Sequence, residues 1–298
     1  MKNRVFWIAG LFIVLPVASI VSGCSDADPI ASDRYELSDN IISVLEANVS
    51  NSAQLEKIAT IDHSRLSAEA GEIMPPARVL IFSNPSLESQ LVSANPLSAI
   101  DLPLRALAYE STLDNSTKIT FNSFEYISSR YNLDDRQDLQ SAFDETMSEI
   151  LQGVEQERIQ FFKDDKMQPD GIVTLSSPFE FENTVERLIA AIDSQDDTVW
   201  FGRVDFQERG LNVDIELRPA LLLLFGAPAP GAKAMADAPT LGLDAFCQKL
   251  LIWEDETGAV RVSFNDLLQI AERQGVPKTI ALRVINRRLK STFSGALE

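Results

Sequence analysis

From residue 37 onward the chain switches between two hydrophobic periods. In FENTVERLIAAI, residues 181–192, the spacing of Phe181, Val185, Leu188, Ile189 and Ile192 puts them on one face of a helix. TVWFGRVDF, residues 198–206, alternates and predicts a strand. ALLLLFG, residues 220–226, is an unbroken apolar run of strand length, which predicts a central strand covered on both faces, or by helices on one. KLLIWEDETGAVRVSF, residues 249–264, reads as two strands around Asp255-Glu256-Thr257-Gly258, a hairpin with glycine in its turn. From Asp266 to the end the period is helical, with Ile280, Val284, Ile285 and Leu289 as the apolar stripe. A short β-rich run, IVTLSS at residues 172–177, opens the series.

The same order of elements occurs earlier. PPARVLIFSNP at residues 75–85 returns as RPALLLLFGAP at residues 218–228, and one shift of 143 positions pairs Pro76 with Pro219, Asp62 with Asp205, Phe82 with Phe225 and Asp101 with Asp244. It also pairs Asn122 with Asn265 and Arg130 with Arg273, whereas Glu110 pairs with Glu254 at a shift of 144. The extra residue is expected at the hairpin, where length change is tolerated. A period this long means a duplicated domain and not a solenoid. The pattern predicts an α+β fold: two similar copies in tandem of a small α/β two-layer domain, a sheet covered by helices. The first copy spans 37–163 and closes with an amphipathic helix over 134–163, carried by Leu139, Phe143, Met147, Ile150 and Val154; the second spans 164–298. The break is expected in KDDKMQPDG, residues 163–171. No counterpart of IVTLSS precedes the first copy.

The N-terminus has a different pattern. Lys2 and Arg4 precede an uncharged run from Val5 to Val21, and Ser22-Gly23-Cys24 follows, so residues 1–23 read as a signal peptide. The run is shorter than a membrane span usually needs and contains Pro16. Val21-Ser22-Gly23-Cys24 is similar to the lipobox of bacterial lipoproteins, and this resemblance implies an acylated Cys24 that tethers the protein to a lipid bilayer through residues 24–36. Ser25 after the cysteine, where those lipoproteins use Asp for inner-membrane retention, favours the outer membrane in a Gram-negative host. The expected address is thus the extracytoplasmic face of a bacterial cell membrane or outer membrane.

Composition narrows the function classes. The 298 residues are 45% apolar and 23% charged, enough for real cores, and the net charge of −18 repels phosphate backbones, so nucleic acid is excluded as a partner. Besides Cys24 there is one cysteine, Cys247, whose neighbours Phe246 and Leu250 predict a core thiol. A single histidine and no cysteine cluster leave no zinc site of the usual kind, and no metal or cofactor is expected. No nucleophile elbow, phosphate-binding loop or dinucleotide fingerprint is present.

Certain positions carry a family resemblance. His63 and Gly71, then Pro75, Val79, Phe82, Asn84 and Pro85, then Asp101-Leu102-Pro103-Leu104 and the pair Tyr109-Glu110, resemble the pattern of the family called Domain of Unknown Function 302. Leu217-Arg218-Pro219, Phe225-Gly226, Pro228, Asp244, Trp253-Glu254, Gly258 and Phe264-Asn265-Asp266 resemble it a second time. The resemblance implies a compact α+β domain, found alone or in tandem, and brings no reaction with it.

The candidate ligand-binding residues are His63 and the polar identities Asp101, Glu110, Arg130, Asp244, Glu254, Asn265 and Arg273. His63 faces Phe206 in the other copy, which favours a packed aromatic over a base. Asp and Asn also cap helices, Asn122 and Asn265 standing where a strand passes into a helix, and Glu with Arg can lock domains together. Two readings remain. One is a lipid-anchored cell-envelope protein acting as a non-enzymatic module that binds a small molecule or an envelope protein. The other is a periplasmic hydrolase that uses carboxylates as acid and base.

Overall fold

The computed structural model describes residues 33–162 and 171–298. The signal segment, Cys24, Ser25 and the break at 163–170 lie outside the described residues.

The first copy runs α1 (Glu36–Asn51), β1 (Glu56–Asp62), α2 (His63–Glu69), β2 (Ala77–Ser83), α3 (Pro85–Ala94), a 3-10 turn (Pro96–Asp101), β3 (Leu104–Glu110), β4 (Thr117–Asn122), α4 (Phe124–Tyr131), α5 (Gln137–Ile150) and β5 (Ile159–Phe162). The second runs β6 (Ile172–Ser176), α6 (Phe181–Asp193), β7 (Val199–Asp205), α7 (Phe206–Leu211), β8 (Ala220–Gly226), α8 (Pro228–Met235), a 3-10 turn (Pro239–Gly242), β9 (Gln248–Glu254), β10 (Val260–Asn265), α9 (Leu267–Arg273) and α10 (Ile280–Ala296). Two five-stranded sheets result, ordered β1-β2-β3-β4-β5 and β7-β8-β9-β10-β6. The expected two α/β copies in tandem are present. Among the described residues no helix is long and apolar enough to cross a membrane.

Local chemistry accounts for the elements. Asp62 and Asp205 cap α2 and α7 through side-chain acceptors, taking the backbone N–H of Arg65 at 2.9 Å and of Glu208 at 3.0 Å. Gly258 turns the β9–β10 hairpin at a φ of +81°. The continuous runs of β2 and β8 are buried along nearly their whole length because helices cover one face of each sheet and the other copy covers the opposite face.

Three expectations are corrected. The closing helix of the first copy stops at Ile150; Gly153 is left-handed at +85°, and Ile159–Phe162 form β5 instead of continuing a helix to 163. β5 lies parallel to β4 on the sheet edge that β6 fills antiparallel to β10, so one edge position is supplied from opposite chain ends in the two copies. The extra residue of copy two lies before β9 and not in the hairpin. Val79 pairs with Leu107 and Leu222 with Leu251, so the shift is already 144 along the whole of β9. In α10, Ile280 and Val284 are 81% and 61% exposed, and the buried face is Leu282, Ile285, Leu289 and Phe293.

The copies pack as an approximate two-fold pair. α2 lies on α8 while α3 lies on α7, and each 3-10 turn rests on the sheet of the opposite copy. Such reciprocal contacts are those of an isologous dimer built within one chain.

Candidate functional site

The reciprocal 3-10 turns bring the polar identities together. Asp101 ends the first turn and Asp244 follows the second, so both carboxylates enter the interface, where they are 3% and 1% exposed. Arg105 and Lys249, each the second residue of its strand, point charges into the same space; Arg105 Nη2 lies 3.7 Å from Asp101 Oδ1 and 3.5 Å from Asp244 Oδ1, and Lys249 Nζ lies 3.8 Å from Asp244 Oδ1. Arg130 and Arg273, from the last turns of α4 and α9, close the cluster. Arg130 Nη1 donates to Asp101 Oδ2 at 2.7 Å, and Arg273 Nη2 donates to Asp244 Oδ2 at 2.6 Å.

The two halves are stitched crosswise. Arg130 Nη2 donates to Asn265 Oδ1 at 2.6 Å, and Asn122 Nδ2 donates to Asp244 Oδ1 at 3.0 Å. Tyr126 Oη accepts from Arg130 Nη1 at 2.9 Å and also from Arg273 Nη1, while Tyr131 Oη donates to Asp101 Oδ2 at 2.7 Å. Arg273 also stacks on Tyr126, its Cζ 4.1 Å from the ring centroid. The asparagines are therefore not helix caps. Ser123 and Asp266 cap α4 and α9, which frees Asn122 and Asn265 to reach across. Nor do the glutamates lock the domains with these arginines, because the aspartates hold them.

Four basic side chains thus surround two carboxylates. Burial raises the Asp101 pKa, but the guanidinium of Arg130, with Lys249, Arg105 and Arg273, outweighs it and holds the carboxyl well below its ordinary range. Asp244 is lowered in the same way: burial opposes, and Arg273, Lys249 and Arg105 prevail. Burial and the adjacent Arg105 push the Lys249 ammonium down to about 7. Among the described residues its Nζ has no hydrogen-bond partner, and a cavity of about 10 Å³ bounded by Asp244, Lys249 and Asn265 has room for about one water. Two aspartates held ionised by the basic side chains around them, closed off from solvent, can fasten the halves together.

Of the eight candidates, five converge here: Asp101, Arg130, Asp244, Asn265 and Arg273. His63 lies in the same interface, apart from the cluster. Its Nε2–H donates to Gly242 O of the other copy at 3.1 Å, and burial lowers its pKa to about 4, so it is a neutral packed imidazole. Cys247 is buried and its thiol is pushed up to about 12 by that burial. Glu110 and Glu254 stand at the outer ends of β3 and β9, away from the cluster. Arg105, Lys249, Tyr126 and Tyr131 were missed by sequence reasoning. Their signal was a cation set in an otherwise apolar strand, LRALAYE or KLLIWE, hidden by the change of shift and by Gln269 and Gln274 replacing the tyrosines.

Beside Glu254 a cleft of about 680 Å³ opens between the copies. Val92 and Pro96 of the first copy and Glu216, Arg218, Trp253 and Glu254 of the second line it. This is ligand-sized space. Among the described residues no group of three or more His, Cys, Asp and Glu side chains is placed to hold a metal ion.

Comparison with known proteins adds a family. The model for "Domain of unknown function DUF302" matches residues 36–157 and 173–293. The chain is 33% identical over 117 residues to "Fluoride-specific ion channel FluC 1" of Brucella suis biovar 1, covering 39% of this chain and 45% of the relative. It is equally similar to the protein of that name from Brucella abortus biovar 1, of which it covers 43%. It therefore spans less than half the length of these relatives. Among solved structures it resembles the "uncharacterized conserved protein DUF302 from Bacillus stearothermophilus" at 15% identity and a TM-score of 0.36, covering 43% of this chain and 96% of that one.

Proposed function

The chain belongs to the family of the domain of unknown function DUF302 and carries it twice, and from that premise we propose that it is a lipid-anchored, non-enzymatic binding module of a bacterial cell envelope. The observation that carries the reading is the division of labour between the polar groups. Asp101 and Asp244, the two carboxylates the interface brings together, are buried and held ionised by arginine, so neither retains a proton to donate in a hydrolysis. What remains open to solvent is the cleft at the seam of the copies, with Trp253 in its wall. The lipobox-like Val21-Ser22-Gly23-Cys24 supports the anchor, with a bilayer as partner through acylated Cys24 and Ser25 favouring the outer membrane. The channel activity in the relatives' name is not extended to this chain, because the match covers under half of their length.

Native mass spectrometry of the full chain, extracted from membranes in detergent, tests the binding role. A co-purified small molecule or envelope protein, lost in Trp253→Ala, is the expected result; turnover of a glycoside by the wild type that Asp101→Asn abolishes would overturn it. Detergent-phase partitioning tests the anchor: Cys24→Ala should leave the detergent phase, and equal retention of a processed mutant would reject acylation.

A further inference from the structure

Glu110 and Glu254 occupy the same place in their copies. Each ends the strand that follows the 3-10 turn, each follows an aromatic residue, and each backbone N–H donates to the carbonyl of the equivalent proline, Glu110 to Pro76 at 2.9 Å and Glu254 to Pro219 at 3.0 Å. Their carboxylates meet different fates. In the first copy the chain covers its own glutamate: Arg34 donates from Nε to Glu110 Oε2 at 2.8 Å and from Nη2 to Oε1, a two-point grip that leaves the Glu110 side chain only 9% exposed. In the second copy the shift that superposes Ile42 on Val185 and Leu45 on Leu188 puts Ser177 where Arg34 stands. Ser177 is drawn to the β10 side, its N–H donating to Val260 O at 2.9 Å, and its side chain carries no charge. Among the described residues Glu254 has no side-chain hydrogen-bond or ion-pair partner, and it lines the 680 Å³ cleft.

We propose that this cleft recognises a guanidinium group, gripped by Glu254 as Glu110 is gripped by Arg34. The inference rests on the binding-module reading and specifies its ligand. Two features of the cleft agree. Asp255 is already engaged by Arg261 Nε at 2.8 Å, and the remaining charges of the lining, Glu216, Glu254 and Glu256 against Arg218, leave it net negative and so attractive to a cation. Trp253 lines the same space and is fixed by its Nε1–H donating to Ser263 Oγ at 3.0 Å. The fork of a guanidinium matches a single carboxylate at two points, whereas an ammonium is a point charge and makes no such match. The volume accommodates more than the group itself, so the guanidinium comes either on a free small molecule or on an arginine presented by a polypeptide.

Isothermal calorimetry on the full chain, with agmatine as the probe, tests this. One agmatine per chain is expected, with affinity reduced at least ten-fold in Glu254→Gln, unchanged in Glu110→Gln, and at least five-fold weaker for 1-butylamine than for agmatine. A peptide of residues 31–37, which contains Arg34, separates the sources: tighter binding than agmatine identifies a polypeptide arginine, and weaker or equal binding a free small molecule. No heat with either probe up to millimolar concentration overturns the proposal, as does equal binding by Glu254→Gln, whose unchanged melting temperature shows that it is folded. If an uncharged or anionic molecule co-purifies and is lost in Trp253→Ala, the binding module survives and its guanidinium specificity falls.

Discussion

Arg130 of the first copy and Asn265 of the second meet at 2.6 Å across 135 residues of sequence, Nη2 donating to Oδ1, while the other arm of the same guanidinium holds Asp101. One side chain therefore closes a buried ion pair within its own domain and joins that domain to its duplicate.

Arg130→Ala should remove about 3–5 kcal/mol of stability, because it leaves Asp101 buried beside fewer cations and Asn265 without its donor. Arg130→Lys should recover little, since an ammonium cannot serve Asp101, Tyr126 and Asn265 in one plane. Urea unfolding checks both, with Arg136→Ala as the control. Arg136 pairs with Asp138 in water, and its loss should cost below about 1 kcal/mol.

Lys249 makes stability depend on alkaline pH. Its folded pKa of about 7 is below the unfolded value of about 10.4, so the folded state binds fewer protons between those limits and stability rises with pH there. From pH 7 to 8.5 the wild type should gain about 2 kcal/mol over Lys249→Met, read as the difference between their urea midpoints at each pH. Above that range Cys247 works in the opposite sense, its thiol raised to about 12 by burial. A pH-independent difference between the two proteins would contradict this assignment.

Gly242 packs against His63 of the other copy with no room for a side chain. A Cβ there would stand 2.9 Å from His63 Cδ2 and 3.1 Å from Nε2, so Gly242→Ala should cost about 1–3 kcal/mol by forcing the interface apart. In a double-mutant cycle with His63→Ala the two costs should fall short of additive, because the smaller residue gives the methyl its space. Additive thermal destabilisation would place the strain elsewhere.

Residues 171–298 contain every strand of the second sheet, yet the face of β8 and β9 that rests on the Pro96–Asp101 turn would be bare without the first copy. That face has nearly two-fold symmetry with the one it lost. The isolated segment should therefore pair with itself, giving a concentration-dependent dimer in sedimentation equilibrium. A stable monomer with a cooperative melt would show that the interface is dispensable.

The sequence by itself determined whatever depends on neighbours along the chain. A strand or helix that buries one face must carry the matching period, so ALLLLFG, the hairpin at Gly258 and the face of Val185, Leu188 and Ile192 announce themselves. The duplication is equally local, since two copies under one fold keep one register. Cys247 was recognisable as a core thiol for the same reason. What the tertiary structure decided is everything settled by contacts between residues far apart along the chain. Asn122 and Asn265 stand where caps stand, and only the approach of the opposite half shows Asp244 and Arg130 as their partners. β5 fills its edge because β4 offers unpaired backbone groups there, a demand that no pattern in Ile159–Phe162 records. The two-fold packing sets Arg105 and Lys249 around two buried aspartates, a role that the pattern of their own strands does not record. Local pattern reports which groups must leave water; which group meets them there is decided by residues well beyond the local window, and only the folded chain brings those together.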